Sequence, residues 1–270
     1  MTDKATILYI PHGGGPLPLM NEPGHANLNR FLGEYAASID SPDLRPDAII
    51  VISAHWEEAE IAITAAPTPP LLFDYAGFPP ETYEYQYPAP GHPELATRVQ
   101  DLLGKAGIIS RLDAGRGFDH GMFVPLLLMY PDAYIPCIQI SLSSSLDAAL
   151  HVRIGKALTV LKKENLLVLG SGFSFHNISV MMSKADAAID PRNQVFEDWL
   201  AETCCTATLS EAEREQRLVG WQEAPHARYV HPREEHLLPL QVCYGMGQGP
   251  ARNIFLEPVA GFLCSAYQWS

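Results

Sequence analysis

The sequence predicts an α/β fold: a single domain over residues 1–270 with a central, mostly parallel sheet flanked by helices. Strand-like apolar runs alternate with helix-like segments, which is typical of a parallel sheet covered by helices. The runs are continuous in Val, Ile and Leu, as in strands buried on both faces. Three of them, ATILYIPH, DAIIVISAH and LLVLGSGFSFH, end on His12, His55 and His176. Because ligands bind beyond the carboxyl ends of parallel strands, we expect the active site at that edge of the sheet.

Seven apolar runs have the length and composition of strands: 5–10, 48–53, 61–65, 108–112, 135–142, 166–169 and 254–259. Helical patterns occupy four segments: 27–38, 93–105, 146–164 and 191–206. Pro93 and Pro191 suit the first turn of their helices, where the missing N–H costs no hydrogen bond. Ser210 and Glu213 have the spacing of a capping box, which predicts a helix running toward Val219. No repeat or linker divides the chain, so one domain is expected.

The charge balance bears on partners and compartment. The chain carries 18 basic and 31 acidic residues, a formal net charge of −13, which disfavours nucleic acid and anionic membranes as partners. No stretch approaches the roughly 18 consecutive apolar residues of a membrane span, and the apolar run before Pro11 is too short for a secretory signal. The five cysteines show no CxxC spacing, which indicates free thiols. We therefore expect a cytoplasmic protein.

The segment 66–92 is rich in both proline and aromatic residues. Proline interrupts regular structure, whereas aromatic side chains need burial or a ligand to cover them. Long irregular segments in compact domains are usually functional. Two interpretations remain open: an aromatic flap packed on its own domain, or a loop from Phe73 to Tyr87 that lines a substrate cleft.

Histidines at the ends of strands favour a metal-dependent enzyme. His12 is followed by three glycines in PHGGGP, and His55 by a tryptophan and two glutamates in SAHWEE. If their strands are parallel neighbours, the imidazoles converge on one crevice. Imidazole is the commonest metal ligand and the usual general base near neutral pH. The glycines lack P-loop spacing, so they predict a tight turn close to a ligand and not a phosphate site.

Further histidines lie in other motifs. In HPREEHLLPL, His231 is interpreted as an N-cap-like residue before a proline that opens a helix, and His236 follows five residues later. This spacing is not the HExxH of zinc metalloproteases. His120 lies in a turn before the apolar run of FDHGMFVPLLLMYP, and the GSGFSFHN motif of His176 lacks the GxSxG elbow of serine hydrolases. The GMGQGP run from Gly245 is interpreted as a loop. The remaining histidines are expected at the surface or in the core: His25, His92, His151 and His226.

Six motifs in this order resemble the LigB superfamily of class III extradiol dioxygenases, and most closely its DODA-type branch of 4,5-DOPA dioxygenase-like proteins. They are HGGGP, SAHWE, YAGFPPETYEYQYPAPG, GFDHGMFVPLLLMYPDAYIPCIQISL, GSGFSFHN and HPREEHLLPL. The similarity covers nearly the whole chain, and HWE together with DHGxxxPLLLMYP is distinctive. The resemblance implies a LigB-type catalytic domain that opens a DOPA-like catechol beside its two hydroxyls, giving a muconic semialdehyde.

The resemblance also implies a mononuclear non-haem Fe(II) centre. Motif matching gives His12, His55 and His236 as its metal ligands. Non-haem iron oxygenases usually use two histidines and one carboxylate, which makes Glu235 the alternative third ligand. Zinc binds such sites more tightly than iron, so it is an expected occupant in purified protein.

Three other histidines take catalytic roles by the same resemblance. His176 matches the active-site base, which would accept a proton from the catechol. His120 matches a residue that steadies oxygen intermediates, and His231 would support the site from behind the metal ligands. The implied partners are a small-molecule catechol and dioxygen, and the protein would be a monomer or a homodimer.

Two alternatives come from other functional classes. The Memo proteins share this fold but are known chiefly as binding or signalling proteins. Three histidines with an open position also describe a catalytic zinc site, which would make the protein a hydrolase. The identity of the metal distinguishes the two enzymes, because iron supports oxygen chemistry and zinc does not.

Overall fold

The computed structural model describes residues 4–41, 44–183 and 189–269. These residues form one eight-stranded sheet in the order β4-β3-β5-β2-β6-β1-β8-β7. The strands are β1 (Thr6–Pro11), β2 (Ala48–Glu58), β3 (Ile61–Thr64), β4 (Ser110–Asp113), β5 (Cys137–Ser143), β6 (Leu166–Gly172), β7 (Arg252–Val259) and β8 (Phe262–Trp269). The central strands β5, β2, β6 and β1 are parallel neighbours, so their carboxyl ends meet at one edge. Antiparallel pairs join β3 to β5 and β8 to both β1 and β7. The predicted α/β fold is confirmed.

Helices cover both faces of the sheet. They are α1 (Ala26–Ile39), α2 (Pro93–Lys105), α3 (His120–Met129), α4 (Ala148–Ala157), α5 (Ile178–Ser183), α6 (Pro191–Cys205), α7 (Glu211–Val219), α8 (Ala227–Val230) and α9 (Leu238–Gly247). Gly170 of β6 faces α9, where a Cβ would meet the backbone of Pro239, whereas Ser171 hydrogen-bonds to Gly121 of α3. Because successive residues of a strand point to opposite faces, α3 and α9 lie on opposite sides of the sheet.

The central strands form because their side chains are buried on both faces. All the residues of β5 and β6 are buried, and so is β2 as far as Ala54. Each of the seven predicted strands is present, and the segment 93–105 forms the predicted helix. The capping box of Ser210 and Glu213 is also present at the start of α7.

Three other sequence interpretations were wrong in detail. The helix predicted over 146–164 is two elements, α4 and a 3₁₀ helix at Thr159–Lys163. No helix opens after His231, because residues 232–237 form bends and turns before α9. Gly245 does not lie in a loop: it belongs to α9, where the absence of a side chain lets the backbone of Val152 in α4 approach closely.

Two further features concern membrane spans and cysteines. No helix in the described part of the chain is long and apolar enough to cross a membrane. The five cysteines, all within the described residues, are free thiols, as the sequence predicts, and four of them are buried.

Candidate active site

A cavity of about 390 Å³ opens at the carboxyl ends of β1, β2 and β6. Five of the six predicted site residues line it: His12, His55, His120, His176 and His236. The expected convergence of the strand-end histidines is therefore observed. The volume lies within the range of small-molecule sites, roughly 300–1,000 Å³.

The sheet itself positions the first two histidines. His12 directly follows β1, and its backbone N–H donates to the carbonyl of Gly172 at the end of β6 (3.1 Å). His55 lies where β2 bulges, because its pairing with β5 shifts register between Ile52 and Glu57. Bulges redirect side chains and are common beside active sites. The bulge turns His55 toward His12, and their ring centroids are 4.8 Å apart.

The proton on His12 can be assigned from its neighbours. Its Nδ1 lies 3.0 Å from Oγ of Ser171. The single hydroxyl proton of Ser171 is donated to the carbonyl of Gly121, so Oγ accepts from His12. His12 thus carries its proton on Nδ1 and presents the lone pair of Nε2 to the cavity.

Asp74, from the proline- and aromatic-rich segment, holds two of the other rings. Its Oδ1 accepts hydrogen bonds from the backbone N–H of His120 (3.0 Å) and from Nδ1 of that ring (2.8 Å). Its Oδ2 lies 3.5 Å from Nδ1 of His55. Burial acts to raise the pKa of Asp74, but the hydrogen bonds from His120 outweigh it and hold that pKa below its ordinary value. An ionised carboxylate therefore orients both imidazoles.

Glu235 plays the corresponding part for His176 and His236. Its Oε1 lies 2.9 Å from Nδ1 of His236 and 3.2 Å from Nδ1 of His176. The two rings stack with centroids 3.3 Å apart. Burial alone would raise the pKa of Glu235, but its hydrogen bonds to His176 and His236 hold it well below the usual range. Glu235 thus hydrogen-bonds to the rings through an oxygen that would otherwise be free to bind a metal.

The donor set fits one metal ion. The Nε2 atoms of His12 and His55 lie 3.0 Å apart, the separation of two cis ligands on one ion with bonds of about 2.1 Å. Burial lowers the pKa of both rings well below the usual value, and it lowers that of His236 to about 3. Metals bind neutral imidazole, and ligating histidines usually donate their other N–H to an oxygen, as here.

On geometry alone, either His120 or His236 could be the third metal ligand. Donor nitrogens of His12, His55 and His120 lie within 4.8 Å of one another, and donor atoms of His176, Glu235 and His236 form a second such group. The ring of His236 nevertheless lies 5.2 Å from that of His12 and 4.9 Å from that of His55. Assignment of His236 as the third ligand therefore stays a prediction.

His231 lies outside the cavity. Its buried ring packs against Phe196 and Trp221, and its Nε2 hydrogen-bonds to the carbonyl of Ser174 (2.8 Å). Burial lowers the pKa of His231 to about 3, so the ring is neutral. It contacts the segment that leads to His176, where it can support the site but not touch a substrate.

Sequence reasoning missed His25, which is buried and lines the cavity. Its Nε2 accepts a hydrogen bond from the N–H of Gly14 (3.1 Å), and its Nδ1 pairs with Glu22 (2.6 Å). Gly13, next to His12, has φ +84°, a conformation that favours glycine. His25 thus fixes the glycine turn that follows His12. A histidine without strand-end context gave no signal of this role.

The two interpretations of the aromatic segment both apply in part. Tyr75 and Phe78 line the cavity, as a cleft loop would. Phe73 packs against Phe123 and Tyr83, and Tyr87 is buried, as in a packed flap.

Comparison with known proteins identifies the family. A model of the catalytic LigB subunit of aromatic ring-opening dioxygenase matches residues 6–259. The chain belongs to this family. Membership makes it an extradiol ring-opening dioxygenase, as the resemblance implied, and favours the enzymatic prediction over the binding-protein alternative. LigB-type dioxygenases depend on a metal, take an aromatic small molecule and use dioxygen.

Curated relatives carry matching names. The chain is 40% identical over 255 residues to a dioxygenase of Hapsidospora irregularis, covering 89% of this chain and 78% of that protein. It is 37% identical over 238 residues to the 4,5-DOPA dioxygenase extradiol of Beta vulgaris (88% and 85% coverage) and 36% identical over 217 residues to that of Escherichia coli (80% and 78%). A crystal structure of an uncharacterised Escherichia coli protein superposes with a TM-score of 0.79 at 29% identity, covering 98% of this chain and 99% of that one.

Proposed function

We propose that this LigB-family protein opens the ring of a catechol beside its two hydroxyls, with Fe(II) held by His12, His55 and His236, to give a muconic semialdehyde. The observation that carries the proposal is the pair of facing Nε2 atoms of His12 and His55, 3.0 Å apart. Because His12 carries its proton on Nδ1, its Nε2 presents a lone pair toward Nε2 of His55. A metal cation bound by both nitrogens would stabilise this short separation. When bound, iron would supply a Lewis acid that acidifies the catechol and a redox centre for dioxygen.

We propose that His176 removes a proton from the substrate. It lines the cavity and is partly exposed to it. Because Nδ1 donates to the Glu235 carboxylate, Nε2 is left as the acceptor. A neutral imidazole is the usual general base near neutral pH. His176 would therefore accept one catechol proton, with Glu235 stabilising the imidazolium that forms.

We propose that His120 stabilises negative charge beside the metal ligands. Its ring centroid lies 3.9 Å from that of His55 and 5.4 Å from that of His12. Asp74 accepts a hydrogen bond from Nδ1 of this ring and so fixes its orientation. A positive or donating imidazole in a largely apolar cavity stabilises an oxygen anion more strongly than the same group in water.

The choice of iron needs its own test, because a cluster of neutral imidazoles also suits zinc. The two metals differ in their use of dioxygen, which only iron supports. The test is to remove metal, add Fe(II) or Zn(II) without oxygen, add a catechol and then admit air. We expect the iron form to consume one dioxygen per catechol and to form a yellow product, and the zinc form to do neither. Catechol left intact by the iron-loaded protein would contradict the proposal.

Variants separate the residues' roles. His176→Phe is expected to keep its iron while kcat falls by roughly 10²–10⁴-fold, the usual size of general acid–base catalysis. His92→Ala is the control, since that histidine only caps α2, where it accepts from the N–H of Leu95. An unchanged kcat in His176→Phe would remove this residue from the proton transfer.

A further inference from the structure

The walls of the cavity above the histidines are apolar. The residues that make these walls come from the glycine turn, the aromatic loop and the segment after β6: Leu17, Phe78, Phe173, Ile178, Met181 and Met182. Two of them are exposed at the mouth, Ile178 at 54% and Met182 at 84%. These two side chains continue the apolar wall of the cavity to its mouth.

No lysine, arginine or acidic side chain lines the cavity among the residues that the structure describes. Its ionisable side chains are histidines and Tyr75. His25, beside the glycine turn, has both ring nitrogens occupied, by Gly14 and Glu22. The hydroxyl of Tyr75 donates to the carbonyl of Thr82. The described walls therefore offer no counter-ion for a charged group on a ligand.

Three arginines that lie close to site residues in the sequence already form ion pairs with carboxylates of the protein. Arg116 pairs with buried Asp119 (3.1 Å) and stacks over Trp56. Arg233 forms a bidentate ion pair with Glu57 and also contacts Glu235 at 3.2 Å.

A third arginine, Arg228, is likewise engaged. It pairs with Glu234 at 2.6 Å and lies over Trp221. None of these three guanidinium groups lines the cavity. These guanidinium groups are therefore held by carboxylates of the protein and are not directed into the cavity.

From this we infer, building on the proposed function, that the substrate is a catechol whose ring substituent is uncharged and apolar, and not an amino acid such as DOPA. The diol end would face the histidines, and the substituent would lie against Phe78, Phe173 and the mouth residues Ile178 and Met182. An amino-acid side chain would bring a carboxylate and an ammonium against apolar walls that pair with neither, so these groups would lose part of their hydration without compensation.

The test compares four catechols of similar size that differ in the charge of the substituent: 4-propylcatechol, 3,4-dihydroxyphenylpropanoate, dopamine and DOPA. Their affinities for the Fe(II)-loaded protein are measured without oxygen, so that binding is read independently of turnover. We expect 4-propylcatechol to bind tighter than each charged analogue by on the order of 100-fold, the scale on which a site discriminates through groups left unpaired. Equal or tighter binding of DOPA, or no binding of 4-propylcatechol, would overturn the inference.

Admitting oxygen to the same samples separates this inference from the function on which it rests. Tightest binding of 4-propylcatechol with no ring opening of any catechol would overturn the proposed function and leave the apolar preference in place. Ring opening of DOPA at a higher kcat/KM than of 4-propylcatechol would support the function and overturn the preference.

Variants at the mouth provide the matched control. Met182→Lys places a cation beside the cavity and is expected to strengthen binding of the propanoate by roughly 2- to 5-fold, the scale of one exposed charge pair. Met182→Gln, similar in length and uncharged, is expected to give no such gain. Lys184 lies outside the described residues, and Lys184→Ala is expected to leave the preference unchanged. A DOPA affinity that depends on Lys184 would contradict the inference.

Discussion

The carbonyl oxygen of His236 occupies the space that a side chain at Gly172 would need. A Cβ on Gly172 would lie 2.1 Å from that oxygen. The same oxygen accepts hydrogen bonds from the hydroxyl of Tyr9 (2.9 Å) and from the N–H of Phe173 (3.0 Å). The ends of β1 and β6 therefore hold the backbone of His236 and bring its ring beside the strand-end histidines.

Gly172→Ala is predicted to displace His236. The added methyl group cannot fit against a carbonyl held by two hydrogen bonds, so the turn before α9 must move. We expect kcat to fall by about 100-fold, which is the cost of a misplacement of about 1 Å at a catalytic site. Steady-state oxygen uptake and iron content measure the effect. Gly104→Ala is the control, because a Cβ there meets nothing within 4 Å; equal activity of both variants would show that the packing at Gly172 is not needed.

Removal of single imidazoles is predicted to distinguish ligands from their neighbours. Under the proposed assignment, His236→Ala loses stoichiometric iron, whereas His120→Ala keeps it and turns over slowly. The reason is that His120 would act on substrate-derived charge, while His236 would hold the ion. Iron is measured after anaerobic loading and desalting. The reverse pattern would make His120 the third ligand, consistent with the 4.8 Å grouping of its nitrogen with those of His12 and His55.

Two tyrosines of the aromatic loop are predicted to differ in their effect on KM. Tyr75 lines the cavity, and its ring lies 5.8 Å from that of His120, whereas Tyr85 does not line the cavity. Tyr75→Ala is expected to raise KM for the catechol by about 10-fold, on the scale of one lost aromatic contact. Tyr85→Ala is expected to leave KM near its wild-type value. A KM for Tyr75→Ala that matched that of Tyr85→Ala would argue against a role of the loop in substrate binding.

One buried carboxyl away from the cavity, Glu197, is predicted to make a contribution to stability that falls as pH rises, opposite in sign to that of the buried histidines with lowered pKa values. Burial raises the pKa of Glu197 from 4.5 to about 7, although Ser265 donates a hydrogen bond to it. A group with a raised pKa in the folded state stabilises the protein fully below the unfolded pKa, and this stability is lost as pH rises to the folded pKa. Between about pH 4.5 and 7, Glu197 should therefore lower the free energy of unfolding by about 3 kcal/mol.

Glu197→Gln tests this origin of the pH dependence. The amide is neutral at every pH and can still accept the hydrogen bond from Ser265. Urea unfolding at several pH values should show that the stability of the variant relative to wild type increases by about 3 kcal/mol between about pH 4.5 and 7. A difference between the two proteins that does not change with pH would contradict this role of Glu197.

The sequence was sufficient to predict the central strands of the sheet but not strand β8. The buried strands β1, β2, β5 and β6 are continuous apolar runs, and this signal survives without tertiary information. β8 was missed because it contains polar residues within an apolar run and because the hairpin that joins it to β7 turns at Ala260 and Gly261, without the usual Asn-Gly signal. Its pairing with β1 depends on contacts distant in the sequence.

The residues of the site likewise include some that the sequence predicts and some that it does not. His12 and His55 could be predicted from the ends of their strands, since parallel strands bring those ends together. Asp74 and His25 could not, because each acts by a hydrogen bond to a residue that only the folded chain places beside it. His236 was found through the resemblance to known motifs, and its position rests on the packing of a turn against β6.

Isotopic labelling of the product tests the central claim most directly, namely that this histidine cluster opens a catechol ring with dioxygen. The Fe(II)-loaded protein and its His55→Ala variant are each mixed with 4-propylcatechol under ¹⁸O₂, and the products are analysed by mass spectrometry. The account predicts a ring-opened product with ¹⁸O in its new carboxylate from the wild type and none from the variant. Unlabelled product, or labelled product formed equally by His55→Ala, would contradict it.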